Sequence, residues 1–76
     1  MKNDEDTRWE ELANAIVYQA VIEYRVALKH IQKNARDHES IGRKRELEIF
    51  FKSQWFTELT SIDPYRLMDK LKEECL

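Results

Sequence analysis

The side chains in this chain with chemistry to offer are His30, His38, Cys75 and a few serines. Imidazole beside carboxylate is a metal-binding combination, and Asp37-His38-Glu39 supplies it locally. His30 stands eight positions before His38 across an expected loop, which is not a recurrent ligand spacing, and Cys75 has no second cysteine to work with. A solvated loop accounts for the cluster, so neither a metal nor a cofactor is expected. Nucleophilic catalysis needs a base held against the nucleophile. Cys75 lies in a terminal turn, where such a base is hard to hold, and Ser40, Ser53 and Ser61 read as helix caps or turn residues. Glu10 with Glu11, and Glu73 with Glu74, are adjacent on helices and do not converge on one substrate. Gly42 is the only glycine, so there is no glycine-rich phosphate loop. The chain is not expected to be an enzyme.

Charge is the next candidate. Residues 29–45 carry six bases and two acids, while residues 1–12 carry two bases and five acids, and residues 46–76 four bases and seven acids. Lys33, Arg36, Arg43, Lys44 and Arg45, with Lys29, suit a phosphate backbone, which makes a small DNA-binding accessory or regulatory protein the alternative reading. Against it, the net charge is -2. The bases also surround a connection rather than the middle of a recognition helix, and no helix-turn-helix spacing with a glycine turn is evident.

The elements that must position these groups are helical. One Gly, one Pro and no alternating polar–apolar run leave all-α as the fold class. The 76 residues are read as a single helical domain, with residues 1–6 as a flexible leader. Such a chain buries only about 60–65 % of its unfolded surface. Thr7-Arg8-Trp9-Glu10 has the form of a capping box, predicting a helix over residues 8–34. Trp9, Leu12, Ala13, Ile16, Val17, Ala20, Val21, Tyr24, Ala27, Leu28 and Ile31 give it one continuous apolar face. Ala15, Tyr18, Ile22 and Val26 form a second stripe, which a helix packed on one side does not need. Asp37 or Ser40 is expected to cap a second helix, which reads as continuing, with a kink, through Ser53 to Leu59; a break at Ser53, with Ser53 capping a short turn of helix, is the other option. Asp63 as N-cap and Pro64 at the first helical position predict a short last helix over residues 64–74. The architecture expected is a long N-terminal helix packed against a second, kinked helix and a short C-terminal one.

Phe50, Phe51, Trp55 and Phe56 are half of the eight aromatic residues. On a continuous helix Phe51, Trp55 and Leu59 share a face, with Phe56 beside them and Ile62 closing the end, and that face is expected to pack on the long helix. The stretch Phe50-Phe51, Ser53, Trp55-Phe56, Leu59-Thr60 and Asp63 resembles a group of small, uncharacterised helical proteins of Gram-positive bacteria, their phages and other mobile elements. The likeness runs from about Ala15, through the helix AIVYQAVIEYRVAL, to about Glu74. In that group a glycine tends to follow the aspartate, where this chain has Pro64. The resemblance implies a helical fold and a mobile-element setting, and no activity.

The role expected from these features is a protein–protein interaction module acting on a host or phage protein, for instance as an inhibitor or anti-defence protein. Candidate partner-binding residues are Tyr18, Ile22, Val26, Trp55 and Phe56. A homodimer through the long helix is expected, because that helix is longer than the remaining residues can cover. The polar start, the lone Cys75 and the lack of any long apolar run point to the cytoplasm and away from a membrane.

Overall fold

The computed structural model describes the backbone of residues 4–75 and the side chains of residues 8–75. Within them the chain forms α1 (Asp4–Lys33), α2 (His38–Phe51), α3 (Gln54–Leu59) and α4 (Pro64–Glu74), with no strand. This is the expected all-α architecture: α2, α3 and α4 all pack along one side of α1.

Within the described residues helix α1 runs from Asp4 to Lys33. Thr7 therefore lies inside the helix and is not its N-cap; its side chain is outside the described residues. Of the leader expected over residues 1–6, residues 1–3 are outside the described ones and 4–6 are helical. The buried residues of α1 are Ala13, Val17, Ala20, Tyr24 and Ala27. They alternate steps of four and three, a narrow seam rather than a broad face. The three alanines let neighbouring backbones come close, and Tyr24 fills the middle with a ring that is fully buried.

Asp37 is the N-cap of α2, its carboxylate accepting from the Ser40 backbone N–H at 3.1 Å. Asp63 caps α4 in the same way, accepting from the Tyr65 and Arg66 N–H groups, with Pro64 at the first position. Between α2 and α3 the expected continuity fails and the break at Ser53 is found instead. Ser53 Oγ donates to the Phe50 carbonyl at 2.6 Å and accepts from the Phe56 N–H at 3.3 Å. One hydroxyl thus closes α2 and opens α3.

That break resets the helical phase, and the core follows from it. A continuous helix would have pointed Phe51, Trp55 and Leu59 inward together. Instead Phe51, Phe56 and Leu59 are buried, while Trp55 is 47 % exposed and Ile62 is also exposed. Phe51 sits edge-on between Tyr24 (5.4 Å) and Phe56 (5.5 Å), and Phe50 leans on both phenylalanines. Leu47 from α2 and Met68 and Leu71 from α4 complete the cluster.

Phe51→Ala is expected to cost about 3–5 kcal/mol, most of what a domain this size has. Trp55→Ala should cost only about 1–2 kcal/mol, the value of a half-buried ring with one aromatic neighbour. Urea titration of both variants checks the order; equal costs would return Trp55 to the core.

Candidate functional site

The partner-binding residues chosen from sequence do not form one surface. Phe56 is fully buried, so it presents nothing to a partner. Trp55, on the first turn of α3, meets Trp9 of α1 edge-on at 6.2 Å. Trp9 is 45 % exposed, and Leu12, one turn further along α1, is exposed as well. Trp9 and Leu12 belong to the face read as core. They lie outside it because the short α3 covers the start of α1 only in part. Two indole rings and a leucine therefore form an apolar surface at one end of the molecule.

Tyr18, Ile22 and Val26 lie on the opposite side of α1 from the seam of buried residues. Tyr18 is 66 % exposed, Val26 is exposed and Ile22 is half-buried. Shallow clefts run beside this stripe where α2 leans against α1. One, of about 460 Å³, has Ile22 and Val26 on one wall and Glu39 and Arg43 on the other. The next, of about 410 Å³, is walled by Ala15, Ile16, Leu47 and Phe50 and is almost wholly apolar.

The first cleft also holds serine, histidine and aspartate together, a grouping that separate readings of these residues had missed. Ser40 Oγ donates to Asp37 Oδ2 at 2.9 Å, and His30 Nδ1 lies 3.4 Å from Ser40 Oγ and 3.9 Å from Asp37 Oδ2. A nucleophilic serine would give its proton to the imidazole. Here the hydroxyl proton goes to the carboxylate, and Ser40 is buried under the turn. The backbone N–H and then the hydroxyl of Ser40 hold the Asp37 carboxyl below its ordinary 3.8. The cluster is a helix cap with a histidine beside it. Among the described residues no three His, Cys, Asp or Glu side chains stand together as a metal site would require.

The basic band is divided by the helix that carries it. Arg43, Lys44 and Arg45 are consecutive on α2, so they point about 100° apart. Arg43 pairs with Glu23 at 2.8 Å and Lys44 with Glu48 at 3.0 Å, while Lys33, Arg36 and Arg45 are exposed. Among the described residues, two members of the band are thus engaged in ion pairs and Arg45 points away from both.

A further polar contact ties the helices to one another. The Tyr24 hydroxyl donates to Glu48 Oε2 at 2.7 Å, and Lys44 and Lys72 (3.8 Å) face the same carboxylate. Burial alone would raise the Glu48 carboxyl. Hydrogen bonds from Tyr24 and Lys44, with the charges of both lysines, outweigh burial and hold it below its ordinary 4.5. Burial first, then the bond to Glu48, push the Tyr24 phenol far above its ordinary 10.0.

Both shifts bear on stability. The lowered Glu48 value stabilises the fold above pH 4.5 and that contribution fades as pH falls through the folded value. The raised Tyr24 value stabilises it below pH 10.0 and is lost at higher pH, where the unfolded chain's phenol ionises. Tyr24→Phe is expected to cost roughly 1.5–3 kcal/mol near neutrality and to flatten both limbs of the stability–pH curve. A variant curve parallel to the wild-type one would contradict this. No helix among the described residues is long and apolar enough to cross a membrane. Compared with protein-family models, curated proteins and solved structures, the chain matches none.

Proposed function

We propose that the protein works by binding another protein, as an interaction module rather than a catalyst. The observation that carries this is the Trp9–Trp55 pair, two half-exposed indoles drawn from different helices and stacked edge to face at 6.2 Å. Tryptophan is the residue type most enriched among binding hot spots, because one rigid side chain buries a large area at small entropic cost. Each ring is already held by the other, so little ordering remains to oppose binding. Leu12 extends the surface. The resemblance of residues 50–63 to small proteins of Gram-positive bacteria and mobile elements supports a host or phage protein as target, met in the cytoplasm. Inhibition or anti-defence activity is the form such binding would take.

The DNA reading is less well supported, because Arg43 and Lys44 are engaged in ion pairs and Arg45 diverges from them. The test is capture from Gram-positive bacterial lysate with wild type, Trp9→Ala and Trp55→Ala at equal folded concentration. A protein retained by the wild type and lost by both variants, at nearly unchanged melting temperature, is expected. Identical capture by all three would overturn the proposal. So would tight binding to duplex DNA that falls steeply with salt and disappears in Arg36→Ala/Arg45→Ala.

A further inference from the structure

A helix face left outside the fold is ordinarily polar. The outer face of α1 is not. Ala15, Tyr18, Ile22 and Val26 follow one another at steps of three and four, with Glu11 before them and Lys29 and Lys33 after. At about 100° per residue, all seven fall within a sector of roughly 80°, opposite the seam of Ala13, Val17, Ala20 and Tyr24. Helices α2, α3 and α4 pack against the other sides of α1: Ala15, Tyr18 and Val26 are exposed, as are Glu11, Lys29 and Lys33, while Ile22 is half-buried at the rim of the cleft beside α2. Among the described residues, the side chains of Glu11 and Lys33 are exposed and are seen in no ion pair.

We propose that a second copy of the chain covers this face, its α1 running antiparallel about a two-fold axis at Ile22. The charges decide the direction. A parallel pair would set Glu11 on Glu11 and Lys33 on Lys33, like charges at both ends. An antiparallel pair centred on Ile22 sets Glu11 opposite Lys33 at each end. Tyr18 then meets Val26, Ile22 meets Ile22, and Ala15 makes room for the aliphatic stem of Lys29. The seam runs about 33 Å from Glu11 to Lys33 and one helix wide, a footprint on the order of 300–400 Å². That is below the ~800 Å² per partner of a stable interface, so the dimer exchanges, with half-association at roughly 10–100 µM. This surface is separate from the Trp9–Trp55 end, so the two proposals stand or fall independently.

The test is sedimentation velocity from about 1 µM to 1 mM, a span bracketing the expected half-association. The wild type should move from monomer to dimer, and Ile22→Glu should remain monomeric with unchanged helicity. Glu11→Lys and Lys33→Glu should each weaken association by roughly tenfold, since two pairs per dimer become repulsive. The double variant Glu11→Lys/Lys33→Glu should recover the wild-type value, and Trp55→Ala should not alter it. A wild type that stays monomeric throughout overturns the proposal and leaves the face to a foreign helix. Charge variants without rescue overturn the antiparallel register. If Ile22→Glu unfolds, the charge swap, at two exposed positions, still decides.

Discussion

A thirty-residue helix is longer than the rest of this chain can enclose, and most of the structure follows from that mismatch. At ~1.5 Å per residue α1 is about 45 Å long, and the molecule measures 52 × 20 × 20 Å. Its radius of gyration is 14.3 Å, against about 11 Å for a compact chain of this length. Three short helices cannot wrap such a rod. They line it on one side, so the core is a strip rather than a ball. The seam of alanines, Val17 and Tyr24 is where that strip is tightest. Everything on the far side of α1 is left to solvent or to another molecule.

The strip holds because aromatic rings concentrate where α1 is best covered. Tyr24, Phe51 and Phe56 stack edge to face in a row, and Tyr24 also ties its hydroxyl to Glu48. Glu48 in turn gathers Lys44 and Lys72, so α1, α2 and α4 meet at one carboxylate. Arg25 and Glu74 add a second, exposed tie between α1 and α4 at 3.0 Å. Ser53 is the pivot for both fold and surface. By ending α2 and starting α3 it turns Phe56 inward and Trp55 outward. The indole that results meets Trp9, so one hydroxyl decides which aromatic residue stabilises and which is displayed.

Much of this was legible in the residues. Asp63-Pro64 marked the start of α4, because a carboxylate cap and a residue without an N–H both suit a first turn. The two apolar stripes of α1 were visible as spacings; the first supplies the core from Ala13 to Ala27 but leaves Trp9 and Leu12 exposed, and the second is exposed except for the half-buried Ile22. What could not be read came down to small energy differences. Continuing a helix through Ser53 and breaking it there exchange about the same number of backbone hydrogen bonds. Packing on α1 decides, and packing is not local. The same blindness put Trp55 with Phe51 and Leu59, and put Phe56 among the partner-binding residues. Thr7 read as the cap of α1, yet the helix already includes Asp4, about one turn earlier. The basic band looked continuous along the chain, but three consecutive residues on a helix cannot share a direction. The Ser40–His30–Asp37 grouping needed the turn between α1 and α2 to bring it together, and only a long-range signal would have found it.

The central claim is that the outer face of α1 stays uncovered by its own chain. Hydroxyl-radical footprinting of dilute protein, below about 1 µM so that monomer dominates, measures this side chain by side chain. Tyr18 should react at a rate near that of a free residue and the half-exposed Trp9 and Trp55 at intermediate rates, while Tyr24, Phe51 and Phe56 should be strongly protected. Protection of Tyr18 equal to that of Tyr24 in the dilute monomer would mean that the chain folds back over this face, and would contradict the one-sided core.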